Sequence, residues 1–101
     1  METNMIETYN WVILEITYEG DTYYKVLSQV GIGLNDWRIN SGITEVKQDD
    51  YYYYFFGSSG SCYKCSKAAE GLSRTTNSLF TKIEHAAKIV PAKEMSENYL
   101  L

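Results

Sequence analysis

Hydrophobic and polar positions alternate along the first two-thirds of the chain, the period of an extended strand whose side chains point to opposite faces in turn. In WVILEITY, Val12, Leu14, Ile16 and Tyr18 share one face, with Trp11, Ile13, Glu15 and Thr17 opposite. Glu19-Gly20-Asp21 is a tight-turn signal, and Thr22 to Val30 restores the alternation with Tyr24, Val26 and Val30 on one side, so the two segments form a hairpin. Gly31 to Asp36 breaks the pattern. Trp37 to Asn40 then reads as a short strand, Ser41-Gly42 as a bend, Ile43 to Lys47 as a strand and Gln48-Asp49-Asp50 as a turn. The next strand, Tyr51 to Phe56, is apolar on both faces: Tyr51, Tyr53 and Phe55 on one, Tyr52, Tyr54 and Phe56 on the other. Gly57-Ser58-Ser59-Gly60 turns the chain back into Ser61 to Ser66. The expectation is an antiparallel meander of about five strands with short connections.

A strand apolar on both faces calls for two covers. One is supplied within the chain, where Leu79, Ile83, Ala86 or Ala87, and Val90 recur at helical steps, with Phe80 widening the stripe. This predicts one C-terminal α-helix over about Asn77 to Ile89, with Glu84 and Lys88 paired on its solvent side and Pro91 ending it. Lys67 to Glu70 reads as a helical turn closed by Gly71. Residues 1–9 and 92–101 are expected as loose tails, unless Met95, Tyr99 and Leu100 pack back. The fold class is α+β, a single domain over residues 1–101. The second cover of the tyrosine strand is left to another subunit, a partner, a ligand or water.

Composition narrows the partners. Ten tyrosines and two tryptophans are amphipathic contact-makers of the kind enriched at interfaces. Nine Lys and Arg against thirteen Asp and Glu give a net charge of -4, the opposite of the basic footprint that phosphate neutralisation needs, so general nucleic-acid binding is not expected. METNMIETYN lacks the basic start of a secretory leader, and no apolar run approaches the roughly 20 residues of a membrane helix, so the expected location is the cytoplasm, with Cys62 and Cys65 reduced.

The candidate reactive groups are few. Gly31-Ile32-Gly33 lacks the third glycine, the following helix and the βαβ setting of a nucleotide fingerprint, and reads as a flexible loop or bulge. Cys62-Tyr63-Lys64-Cys65 has the spacing of a zinc knuckle, but His85 is the only further nitrogen or sulfur donor, and on a strand the two sulfurs diverge. No metal, cofactor or catalytic constellation is expected, and Asp49-Asp50 read as turn formers beside a sticky strand. The same tyrosines can stack on a nucleobase. With only Lys25, Arg38 and Lys64 as basic residues at hand, a single nucleotide or small ligand suits them better than a polymer.

The segments YYKVLS, WRINSGITEV and DDYYYYFFGSSGSCYKC resemble small accessory proteins of T-even-type tailed bacteriophages, over roughly Tyr23 to Cys65 and with a departure at Gly31 to Asn35. The resemblance transfers no catalytic residue. It implies a dispensable phage protein of a class in which small acidic binders block host restriction, CRISPR or other defence machinery. The resulting expectation is a non-enzymatic inhibitor of a host protein, binding through Tyr52 and Tyr54 with Tyr23 and Trp37 as neighbours and Asp49 and Asp50 at an acidic rim. The alternatives are a nucleotide or small-ligand binder that sequesters a defence signal, and a homodimer formed through the second aromatic face.

Overall fold

A computed structural model describes residues 4–33 and 35–99, with side chains described through Met95. In chain order the elements are β1 (Asn4–Glu7), β2 (Trp11–Tyr18), β3 (Asp21–Gln29), β4 (Trp37–Ile39), β5 (Ile43–Gln48), β6 (Tyr52–Gly57), β7 (Ser61–Ser66), a 3-10 turn (Lys67–Ala69), α1 (Arg74–Ile83), β8 (Ala87–Val90) and α2 (Ala92–Tyr99). The strands form two four-stranded sheets, ordered β1-β7-β6-β5 and β4-β3-β2-β8. All pairings are antiparallel except β1 with β7. The result is a small α+β domain.

Two sheets replace the expected single meander of about five strands. The chain leaves the second sheet after β4, where the Asn40 side chain accepts from the Val26 amide at 2.9 Å in place of a ladder carbonyl. Gly42, at φ 139°, then turns the chain toward the first sheet, a conformation that a Cβ disfavours. β5 therefore pairs with β6 instead of β4.

The two sheets bury one face each against the other. Trp11, Ile13, Val26 and Val90 from the second sheet meet Ile43, Val46, Tyr53, Phe55, Tyr63 and Cys65 from the first, with Ala92 and Met95 of α2 completing the core. Trp11 is fully buried, its ring centroid 5.8 Å from that of Tyr53 and 5.5 Å from that of Phe55. The opposite face of the second sheet carries Val12, Leu14 and Leu27 under Leu79, Phe80 and Ile83 of α1. Both faces of β2 and β3 are thus covered, which is why WVILEITY is apolar on both sides over its first half.

The C-terminal third departs from the sequence expectation. The helix starts at Arg74 behind a capping box, in which Ser73 Oγ accepts from the Thr76 amide and Thr76 Oγ1 accepts from the Ser73 amide. It stops at Ile83, and the Ala86 amide returns to the Ile83 carbonyl at 2.9 Å. Ala87–Val90 is strand β8 on β2, not the last helical turn, so Lys88 pairs with Glu15 at 3.4 Å and not with Glu84. Pro91 ends that strand and precedes α2. The expected loose tails are in part ordered: Asn4–Glu7 pairs in register with β7, and Ala92 and Met95 are buried. The expectation for the Tyr99 side chain and for Leu100 lies outside the described residues.

Candidate functional site

The register of the first sheet decides which side chains meet on its outer face. Lys47 opposes Tyr54, Tyr54 opposes Lys64, and Lys64 opposes Glu7, giving one row across four strands. Glu45, Phe56, Cys62 and Met5 form the next row by the same pairings. Tyr52 lies beside Tyr54 on β6, ring centroids 6.3 Å apart, and opposes Ser66. Tyr53, Phe55 and Gly57 are buried, whereas Tyr52, Tyr54 and Phe56 are half-exposed. The tyrosine strand therefore uses one aromatic parity for the core and presents the other outward.

Lysines lie over the exposed rings. Lys64 Nζ stands 4.3 Å from the Tyr52 ring centroid and Lys47 Nζ 5.6 Å from that of Phe56, distances at which a cation is attracted to the π face. Each lysine also has an acid: Lys64 with Glu7 at 3.6 Å, and Lys47 with Glu45 at 3.8 Å. Such exposed pairs add little stability, but they leave the aromatic strip bordered by both signs of charge.

Asp49 closes one end of the strip as a structural residue. Its Oδ1 accepts from the Tyr51 and Tyr52 amides at 2.9 and 2.8 Å, and its Oδ2 accepts from the Tyr54 hydroxyl at 2.9 Å. The two backbone donors, followed by the Tyr54 hydroxyl and the Lys67 charge, hold its carboxyl below the ordinary value. The same bond pushes the Tyr54 hydroxyl up. Asp50 and Tyr51 are exposed at this end. The border is thus mixed in sign, with Asp49 spent on the turn.

The remaining candidates stand elsewhere. Tyr23 is on β3 and Trp37 on β4, both exposed on the second sheet, so neither adjoins Tyr52 and Tyr54 within the first sheet's ladder. Met5, Phe56, Lys47 and Lys64 take the neighbouring places instead. The parity of the tyrosine run already puts Phe56 beside Tyr54. Met5 and Lys47 become visible only through strand register, which a single sequence does not give.

Beside Tyr52 a cleft of about 400 Å³ opens between the first sheet and the crossing from β1 to β2, lined by Glu7, Thr8, Tyr9, Val30, Tyr52, Lys64 and Ser66. It joins two tyrosine rings and one ammonium. The Gly31–Gly33 loop is not a cradle of this kind: the Gly33 amide donates to Asp36 Oδ2 at 2.8 Å, and both glycine carbonyls accept from Gln29 Nε2.

Cys62 and Cys65 are buried on opposite faces of β7, Cys62 beneath the outer row and Cys65 in the core. Burial pushes both thiols up, Cys65 to about 12. His85 is exposed in the turn after α1. Among the described residues no three His, Cys, Asp or Glu side chains gather as a metal site, and no helix is long and apolar enough to cross a membrane. No family model, no curated protein and no solved structure matches the chain.

Proposed function

We propose that the protein is a non-catalytic binding module that captures a partner protein on the outer face of the first sheet. One observation carries this reading. Of the four sheet faces, two cover each other and α1 covers the third, while the fourth, bearing Tyr52, Tyr54 and Phe56, has no covering element among the described residues. Half-buried tyrosine at the centre of a strip with charges of both signs around it has the anatomy of an interface, apolar within and polar at the rim. Together with the resemblance to T-even-type phage accessory proteins, this face is read as the means by which a phage protein inhibits a bacterial host protein, a defence component in particular. Tyr52, Tyr54 and Phe56 are the anchors, Lys47, Lys64, Glu7 and Asp50 the rim, and Asp49 the brace of the turn.

Affinity capture from bacterial lysate tests the proposal, with wild type and a Tyr52→Ala/Tyr54→Ala variant run in parallel. One host protein held by the wild type and lost from the folded variant supports it. Equal retention by both sinks it.

The cleft beside Tyr52 favours a second reading, a small anionic ligand such as a nucleotide, stacked on Tyr9 or Tyr52 with Lys64 at its phosphate. A ligand at 100 times its dissociation constant adds about 2.7 kcal/mol to stability, so a thermal-shift screen with nucleotides separates the two. A shift with any nucleotide that is lost in Lys64→Ala supports this second reading, and its absence across the screen removes it.

A further inference from the structure

We infer that the edge of β4 is a second binding site, which takes an extended acidic peptide segment as an added strand with one apolar side chain seated against α1. β4 is an edge strand of the second sheet, paired only with β3. The Asn40 amide donates to the Val26 carbonyl at 3.0 Å, and the Asp36 carbonyl accepts from the Val30 amide at 2.8 Å, so residues 36, 38 and 40 direct their backbone groups toward β3. In an antiparallel ladder the intervening residues point the other way. The amides and carbonyls of Trp37 and Ile39 therefore face away from the sheet, with no backbone partner among the described residues. That is the template an incoming strand needs.

A groove adjoins this edge on the side where the next side chain of such a strand would fall. Leu27, Trp37, Ile39, Leu79 and Ile83 line an apolar hollow of about 240 Å³ between β4 and α1. Trp37 and Ile39 are each 36% exposed in it, a high figure for rings and branched chains that face a helix. The hollow runs on into a second one of about 310 Å³ that shares Trp37, Leu79 and Lys82 and adds the polar side chains of Arg74, Thr75 and Ser78. One apolar anchor with polar neighbours fits this trough.

Charge selects the partner. On a chain of net charge -4, Arg74 and Lys82 stand along the trough, while Arg38, on β4 itself, is placed by strand parity on the opposite face of the edge. None of the three is in an ion pair among the described residues, whereas Lys47, Lys64 and Lys88 each have an acid. Carboxylates flanking the anchor would meet them, which favours acidic segments over basic ones. The other edges lack this combination: α2 packs beside β5, β8 carries the Lys88–Glu15 pair, and β1 (NMIE) has no Lys or Arg. This site lies on the far side of the molecule from Tyr52 and Tyr54, beyond the core and the second sheet, and does not depend on the reading proposed for them.

The test uses a synthetic strand-length peptide, alternating Val and Thr with a central Leu and Glu at each flank, and a control with Lys in place of Glu. Binding is followed by amide shifts and hydrogen-exchange protection in the full chain. The acidic peptide should bind with a dissociation constant below about 1 mM, protect the Trp37 and Ile39 amides, and weaken by about tenfold or more in Arg74→Glu/Lys82→Glu. The Tyr52→Ala/Tyr54→Ala variant should bind it like the wild type. Equal binding of the Lys control, protection at another edge, no binding of the acidic peptide in that range, or occlusion of β4 by a second copy of the chain would each overturn the inference.

Discussion

The indole Nε1 of Trp11 donates a 2.7 Å hydrogen bond to the Ser66 carbonyl, joining the first residue of β2 to the last of β7 and so one sheet to the other. Trp11 also forms an isolated parallel bridge with Glu70, in the segment that follows β7 and the 3-10 turn. Trp11→Ala removes both the bond and a fully buried ring, and should destabilise the domain by about 3–5 kcal/mol. Trp11→Phe keeps most of the ring but leaves the Ser66 carbonyl without this donor, a loss of about 1–3 kcal/mol. Denaturant unfolding with an unchanged m-value checks both, and a cost under half of these ranges would deny Trp11 its role as the tie between sheets.

Asp49 gives the outer face a pH dependence of definite sign. Its folded carboxyl is held below the ordinary 3.8, so the stability it contributes is full above that value and disappears as pH falls through the folded value. Asp49→Asn should therefore lower the melting temperature at neutral pH and converge with the wild type in strong acid. Parallel melting curves at all pH values would show that the carboxylate does not brace the turn.

The α1 cap offers a local test. Ser73 Oγ accepts from the Thr76 amide and also donates to Gln29 Oε1 at 2.9 Å, tying the helix start to the end of β3. Ser73→Ala should cost about 1 kcal/mol, and Ser73→Asp, which keeps the acceptor, should recover part of the capping term. Melting temperatures of the three proteins decide it.

Both thiols should be silent in the native state. With Cys62 and Cys65 buried and their thiols pushed up, the thiolate that reacts is scarce at pH 8. A thiol-reactive dye should label neither at a rate faster than unfolding, and both in denaturant. Prompt native labelling would contradict the buried placement of β7.

Much of this architecture is legible from strand patterning and turn residues. WVILEITY and its hairpin partner appear where their β-rich runs and the Glu19-Gly20-Asp21 turn put them, the tyrosine strand where its aromatic run lies between turns, and SCYKCS as the return from Gly57–Gly60. Sheet membership is not legible, since Asn40 and Gly42 divert the chain by local hydrogen bonding and backbone geometry that leave the strand signals intact. β8 was hidden for a different reason. Ala87 and Val90 sit three apart and continue the Leu79–Ile83 stripe, so four residues of edge-like strand imitate a last helical turn. Of the candidate site, Tyr52 and Tyr54 follow from parity and Lys64 from the basic residues of the strands, while Lys47 and Met5 join them only through register between strands distant in sequence.

The central claim is that the outer face of the first sheet binds a protein, and calorimetric titration of the captured host protein with Tyr54→Ala tests it most directly. An anchor at the middle of that face should lose about 2 kcal/mol, close to thirtyfold in affinity, in a variant whose fold is unchanged. Wild-type affinity in folded Tyr54→Ala and again in Tyr52→Ala/Tyr54→Ala would place the partner on another surface and contradict the claim.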